Sequence, residues 1–160
     1  MKTLFILRHA KSSWEDANLA DFDRPLNKRG LKTAPLVGET IRRNKFQIDS
    51  IISSPAKRAK QTAILVKEAA QIAADILFDD QIYEASPHRL LHVASELDDK
   101  IESAMLVGHN PGLEGLVTML TRKAELMPTA TLAVVDLKID NWKEIHLDCC
   151  NLRVLIRPKD

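Results

Sequence analysis

The sequence predicts an α/β fold of three layers, in which a mostly parallel central sheet carries helices on both faces. Short apolar runs of strand length alternate along the chain with longer segments of helical periodicity. Such alternation is typical of parallel sheets that are covered on both sides. The C-terminal part differs, because two extended stretches flank a turn there. This pattern predicts one late antiparallel element at an edge of the sheet.

The first half of the chain alternates predicted strands with two predicted helices. The first helix covers residues 27–44, where apolar residues recur at helical spacing and Pro35 is an internal flaw that favours a kink. The second helix follows Pro55 and continues to about Ala74 through a run of good helix formers. The strands are the short apolar runs at residues 3–7, 50–53 and 76–78.

The second half begins with a capped helix. Ser86 followed by Pro87 is typical of an N-cap and a first helical residue, and apolar positions at helical spacing continue to Leu97. A buried strand at residues 104–107 leads to a helix that Pro111 opens. The two late extended stretches cover residues 131–137 and 152–156 and flank a turn at Asp140 and Asn141.

The length and composition favour one domain over residues 1–160. The chain is 45% hydrophobic and 28% charged with a net charge of +1, so nothing favours a nucleic-acid partner or a disordered chain. No apolar run reaches the roughly 18 residues that would span a membrane, and Met1 and Lys2 lead directly into the first strand. We therefore expect no membrane partner and a cytoplasmic location.

The two cysteines, Cys149 and Cys150, are adjacent in the chain. Neighbouring side chains in an extended segment point to opposite faces, which predicts that no structural disulfide joins them. Two unpaired thiols fit a reducing cytoplasm.

Residues with catalytic potential follow directly after three of the predicted strands. Arg8 and His9 follow the first strand, and His109 follows the strand at residues 104–107. Arg58 lies in the first turn of the helix after the second strand. In open sheets of this kind, ligands bind beyond the carboxyl ends of the strands. The sequence therefore predicts that two arginines and two histidines meet at one edge of the sheet.

Four longer segments carry these residues. They read RHAKSSW at 8–14, DRPLNKRG at 23–30, SSPAKRAKQTA at 53–63 and VGHNPGLE at 107–114. In this order they resemble the histidine phosphatase superfamily, and the first segment and the short chain are most similar to its SixA-type phosphohistidine phosphatases. The resemblance implies a phosphatase that needs no metal or other cofactor and acts through a phosphohistidine enzyme intermediate.

The resemblance also implies the substrate and a role for each of the four residues. His9 is the nucleophile, Arg8 and Arg58 bind phosphoryl oxygens through guanidinium forks, and His109 donates a hydrogen bond to an equatorial oxygen. The expected partner is a phosphorylated histidine-containing phosphotransfer protein. A small phosphate ester or sugar phosphate is the alternative substrate, and a binding module that holds a phosphorylated group without turnover is the alternative function.

The connection from Ser12 to Lys28 is long for a link between a strand and a helix, and long loops in compact domains are often functional. Arg24, in the family-like DRPL, is a candidate for substrate binding, together with Lys11 and Ser12. Trp14 either borders the site or packs against the protein.

The general acid is the uncertain part of the predicted site. Many relatives carry a carboxylic acid after the second histidine, where this chain has Asn110, which cannot supply a proton. Glu84 is the remaining candidate, although it would also be favourable simply as a carboxylate near a helix N-terminus. His88 and His92 have a metal-compatible spacing but no further ligand pattern, so no metal site is predicted.

Overall fold

A six-stranded sheet with the strand order β3-β2-β4-β1-β5-β6 forms the centre of the protein. This is seen in a computed structural model that describes residues 1–158. The strands are β1 (Lys2–Arg8), β2 (Ser50–Ser53), β3 (Ile76–Phe78), β4 (Ser103–Gly108), β5 (Leu132–Leu137) and β6 (Cys150–Ile156). The helices are α1 (Lys28–Arg43), α2 (Lys57–Ala70), α3 (Pro87–Ser95) and α4 (Gly112–Thr121).

The sheet is mostly parallel, as predicted. β1 pairs in parallel with β4, β4 with β2, and β2 with β3. β5 runs antiparallel to β1, and β6 runs antiparallel to β5 at the edge of the sheet. The predicted α/β class with a late antiparallel element is therefore confirmed.

Helices cover both faces because the buried strands are apolar on both sides. Alternate side chains of a strand point to opposite faces. Leu4 and Ile6 of β1 accordingly pack in one core with apolar residues of α3 and α4. Phe5 and Leu7 pack in the other core with residues of α1 and α2. This two-sided burial explains why β1 reads as a continuous apolar run in the sequence.

Most element boundaries agree with the sequence prediction to within one residue, and the exceptions are two helix C-termini and the start of β6, which begins at Cys150 instead of Leu152. The strands at 50–53 and 76–78 have the predicted bounds. Ser86 is the predicted N-cap of α3, because its hydroxyl accepts a hydrogen bond from Arg89 N–H at 3.2 Å. α2 ends at Ala70, short of the predicted Ala74, because Gln71 adopts a left-handed backbone conformation with a φ of 58°. α3 likewise ends at Ser95, before Leu97.

The prediction that Cys149 and Cys150 form no disulfide is wrong. Their sulfur atoms are bonded at 2.21 Å. The alternation argument applies to two residues within one regular strand, whereas only Cys150 belongs to β6. Asp148, directly before the pair, has a positive φ of 62°, so the chain is not extended there.

Within residues 1–158, no helix is both long enough and apolar enough to cross a lipid bilayer.

Candidate active site

The carboxyl ends of β1, β2 and β4 bring the predicted catalytic residues together. These three strands are parallel and adjacent, so their carboxyl ends share one edge. The residues there surround a hollow of about 250 Å³, which we call the catalytic hollow. It is lined by Arg8, His9, Lys11, Ser12, Trp14, Arg24, Arg58, His109, Asn110 and Thr129. All four residues that follow the strands, and all three predicted substrate-binding residues, lie in this lining.

His9 is fixed in one orientation and one tautomer. Its side chain is buried, and its Nδ1–H donates a hydrogen bond to the carbonyl oxygen of Ala10 at 2.7 Å. A carbonyl oxygen only accepts, so Nδ1 carries the proton and Nε2 of the neutral ring carries a lone pair. Burial, together with the nearby guanidinium groups, lowers the pKa of His9 to about 4. The His9 ring is therefore neutral at physiological pH, with a free lone pair on Nε2.

The backbone beside His9 is tied to α2. Ala10 N–H donates to the Thr62 hydroxyl at 3.0 Å, and that hydroxyl donates to the carbonyl oxygen of Arg58 at 2.7 Å. Thr62 is fully buried. One side chain thus links the segment that carries the nucleophile to the helix turn that carries Arg58.

His109 lies beside His9, with 5.2 Å between the ring centroids. Its Nε2 lies 2.8 Å from the hydroxyl oxygen of Ser54, which itself accepts from Ala56 N–H at 3.2 Å. Nδ1 is buried and has no hydrogen-bond partner among the described residues. Burial, with the charge of neighbouring groups, lowers the pKa of His109 to about 3, so this ring is a neutral hydrogen-bond donor.

The arginines surround the two histidines. Arg58 donates to the main-chain oxygen of Asp21 at 2.7 Å and to its carboxylate at 3.0 Å. Arg24 donates to the same carboxylate at 3.1 Å and to the Ser12 hydroxyl at 2.7 Å. Arg8 donates to the carbonyl oxygen of Met127 at 3.0 Å. Two of the three guanidinium groups pair with the Asp21 carboxylate and the third does not, which leaves an excess of positive charge that suits a phosphoryl dianion.

Asp21 is a site residue that the sequence analysis missed. Besides the two arginines, its carboxylate accepts a hydrogen bond from the Tyr83 hydroxyl at 2.6 Å. The hydrogen bond from Tyr83, followed by those from the arginines, lowers the pKa of Asp21 to about 2. Asp21 is therefore an anion that orients Arg24 and Arg58, and it has no proton to give. Its position three residues before Arg24, in DFDR, was the signal that could have identified it.

Trp14 borders the catalytic hollow rather than packing into the protein. Its side chain is 75% exposed, and the guanidinium carbon of Arg24 lies 3.5 Å from a ring centroid. This stacking is a cation–π contact. Trp14 thus covers one face of the Arg24 guanidinium group. Hydrogen bonds to Ser12 and Asp21 hold that group beside the catalytic hollow.

Glu84 lies outside the catalytic hollow. It is exposed and lines a neighbouring hollow of about 650 Å³, whose wall also includes His109 and Asn110. The Asn110 side chain amide donates to Glu114 at 2.9 Å and to the carbonyl oxygen of Met127 at 3.0 Å. Asn110 therefore holds the loop before α4 in place, and Glu84 reaches the site only from the neighbouring hollow.

A larger hollow, of about 730 Å³, lies elsewhere. It includes Ile48 and Asp49, which directly precede β2, and so lies at the amino end of that strand. Ligands of open α/β sheets bind at the opposite edge. The described part of the chain also contains no group of three or more histidine, cysteine, aspartate or glutamate side chains that would hold a metal ion.

The lowered histidine pKa values predict a loss of stability on mild acidification. An unfolded histidine titrates near pH 6.5, whereas folded His9 and His109 take up protons only near pH 4 and 3. Between pH 7 and 5 the unfolded chain therefore binds more protons, and the free energy of unfolding falls as the pH falls. Asp21, with a pKa of about 2, does not titrate in this range.

Urea unfolding at pH 7 and at pH 5 measures this effect. The His9→Gln variant should lose less stability over the same interval than the wild type does. An equal loss in both proteins would contradict the assignment of a neutral, buried His9.

Comparisons with known proteins give a consistent result. Residues 4–89 match the model of the histidine phosphatase superfamily, branch 1. An uncharacterized protein of Mycobacterium tuberculosis is 30% identical over 157 residues, covering 91% of this chain and 96% of that protein. A solved structure from Agrobacterium tumefaciens, assigned to the SixA phosphohistidine phosphatases, is 28% identical with a TM-score of 0.85 over 98% of both chains. A mycobacterial glucosyl-3-phosphoglycerate phosphatase is 16% identical and shares the fold, with a TM-score of 0.66 over 96% of this chain and 97% of that one.

Proposed function

The chain belongs to the histidine phosphatase superfamily, and from that premise we propose that it removes phosphoryl groups from phosphohistidine in a protein partner. The observation that carries the proposal is the state of His9. Its Nδ1–H is committed to a main-chain carbonyl, its ring is neutral, and it lies among Arg8, Arg58 and His109. A phosphoryl acceptor requires this combination of a free lone pair and surrounding positive charge.

The reaction consists of two displacements at phosphorus. In the first, the Nε2 lone pair of His9 forms a bond to phosphorus, and the bond from phosphorus to the substrate imidazole nitrogen breaks. The electron pair of the broken bond stays on the substrate ring, which leaves as neutral imidazole because its other nitrogen carries a proton. In the second, a water oxygen bonds to phosphorus, the bond to Nε2 breaks, and the water gives up a proton as inorganic phosphate leaves. His9 returns to its neutral form.

The surrounding donors stabilise the charge that the phosphoryl group carries during each displacement. That charge is spread over three equatorial oxygens. Arg8 and Arg58 supply guanidinium donors, and the neutral ring of His109 supplies an uncharged N–H donor. Asp21 and Ser12 fix the guanidinium groups beforehand, so little reorganisation is needed when the phosphoryl group arrives.

The nitrogen-linked substrate is favoured because no strong general acid lines the catalytic hollow among the described residues. Asp21 remains ionised, and Asn110 is occupied by structural hydrogen bonds. An alkoxide needs a proton as it leaves, whereas an imidazole is a much weaker base. Glu84, at the neighbouring hollow, is the observation that supports the alternative of a small phosphate ester or sugar phosphate.

A series of leaving groups tests this choice. With a chelator present, the wild type is expected to hydrolyse a phosphohistidine-carrying phosphotransfer domain and activated aryl phosphates well, and alkyl phosphates poorly. Glu84→Gln should change the first two rates little. Glu39→Gln, which alters an exposed carboxylate on α1, is the matched control.

Two outcomes would overturn parts of the proposal. Efficient cleavage of alkyl phosphates that Glu84→Gln selectively removes would identify Glu84 as a general acid and favour the small-ester substrate. Activity that disappears with chelator and returns with a divalent ion would contradict a metal-independent reaction.

A further inference from the structure

Arg8 is held differently from the other two arginines of the site. Asp21 pairs with both Arg24 and Arg58. The Arg8 guanidinium group instead donates to the carbonyl oxygen of Met127 at 3.0 Å. The position of Arg8 therefore depends on what fixes the main chain at Met127.

Met127 lies in the connection between α4 and β5, which has no regular secondary structure over residues 123–128. Met127 is fully buried, and buried main-chain groups need hydrogen-bond partners. Here side chains supply them. The N–H of Met127 donates to the Glu114 carboxylate at 2.7 Å. Its carbonyl oxygen accepts from the Asn110 side-chain amide at 3.0 Å, in addition to Arg8.

Glu114 is at the centre of these contacts. One carboxylate oxygen, Oε2, accepts both the Met127 N–H and, at 2.9 Å, the Asn110 side-chain amide. The N–H of Glu114 donates in return to the Asn110 side-chain oxygen at 3.2 Å. Glu114 therefore fixes one polar main-chain group of Met127 directly and the other through Asn110.

The charge of Glu114 also acts on Arg8. Burial lowers the pKa of Arg8, and the negative charge of Glu114 opposes that shift. Glu114 thus stabilises the charged form of the arginine that Asp21 does not pair with. Glu114 is the last residue of the segment VGHNPGLE, and the proposed mechanism gives it no other role.

We propose that Glu114 is a positioning residue of the reaction, which fixes the Arg8 guanidinium group at the catalytic hollow by holding both polar main-chain groups of Met127. The inference rests on the proposed phosphatase function, in which Arg8 binds a phosphoryl oxygen. Because Glu114 acts through Arg8, its replacement should lower the rate only while Arg8 is present.

A carboxylate in the first turn of a helix also has an ordinary stabilising role. Glu114 lies in the first turn of α4, where its charge interacts favourably with the helix dipole. That interaction contributes to the stability of the protein and does not depend on Arg8. Rates measured with and without Arg8 therefore separate the two roles.

A double-mutant cycle with an aryl phosphate makes this measurement. Glu114→Gln removes the charge and should lower kcat/KM about tenfold, which is less than the loss expected for Arg8→Ala because the guanidinium group is kept. In the Arg8→Ala background the same substitution should change kcat/KM less than about twofold. In the Arg58→Ala background most of the loss should persist, since Asp21 holds Arg58 independently.

Asp136→Asn is the matched control. Asp136 is also a half-buried carboxylate, and it pairs with Arg153 outside the catalytic hollow. Its replacement should leave kcat/KM unchanged. Thermal melting measures the stability of each protein. If Glu114→Gln does not fold, Glu114→Asp, which keeps the charge and shortens the side chain, takes its place in the cycle and should show the same dependence on Arg8.

The outcomes separate this inference from the proposed function. A loss of equal size in the wild-type, Arg8→Ala and Arg58→Ala backgrounds, or an unchanged rate in Glu114→Gln, would overturn the role of Glu114 and leave the phosphatase function standing. If aryl phosphates are hydrolysed and phosphohistidine is not, the phosphohistidine proposal fails, and the cycle still tests Glu114. If neither is hydrolysed, the phosphatase proposal fails, and calorimetric titration of the same variants with orthovanadate tests the same dependence on Arg8.

Discussion

His9→Ala is expected to abolish turnover and to prevent covalent phosphoryl labelling of the protein. The substitution removes the ring that we propose as the nucleophile, together with its hydrogen bond to the carbonyl oxygen of Ala10. His109 should not replace it, because its Nε2 is paired with the Ser54 hydroxyl and its Nδ1 is buried. Rapid-quench labelling with phosphoryl donor, together with steady-state hydrolysis, measures both losses.

The matched control is His88→Ala, which removes an exposed histidine from α3. It should retain labelling and turnover. Circular dichroism of His9→Ala checks that the loss of a buried ring has not unfolded the protein. An acid-labile, base-stable phosphoryl label on folded His9→Ala would show that another histidine is the nucleophile.

Arg58→Ala should lower kcat/KM by at least about a hundredfold, the usual effect of removing one preorganised charge partner of a transition state. The same loss is expected for Arg8→Ala, whose side chain also lines the catalytic hollow. Arg58→Lys should recover only part of the rate, because an ammonium group cannot reproduce the two-pronged contact of a guanidinium. Initial rates with an aryl phosphate and with a phosphohistidine substrate provide the measurement.

Lys57→Ala is the control for Arg58, since Lys57 is the exposed neighbour in the same helix turn. It should leave the rate near that of the wild type. Arg58→Ala keeps Asp21 paired with Arg24 and Tyr83, so the loop that carries Asp21 should remain ordered. Near-normal turnover in Arg58→Ala or Arg8→Ala would place that arginine outside the reacting centre.

Four residues of the site could be located from the sequence because each follows a strand or opens the helix after it. Arg8, His9 and His109 end or follow buried apolar runs, and Arg58 lies in the first turn of α2. Parallel strands place such positions at one edge of a sheet, so the chain order of strands and helices is enough to group them.

Other members of the site could not be found in this way, because their contacts join segments that are far apart in the chain. Asp21 meets Tyr83 across 62 positions, and Ser54 meets His109 across 55. Neither pair has a sequence periodicity or spacing from which the contact could be predicted. The Asp21 contact depends on how the loop after β1 folds, and the Ser54 contact depends on the pairing of β2 with β4.

Local patterns in the sequence were enough to predict the fold class, the order of the strands and helices, and the candidate catalytic residues, because hydrophobic periodicity and turn residues act over a few neighbouring positions. The ionisation states of those residues follow only from the tertiary structure. Burial lowers the pKa of His9 and His109 below the physiological range, and Asp21 fixes two of the three arginines. Desolvation and charge pairing depend on atoms brought together from the whole chain, and no local pattern of residues specifies them.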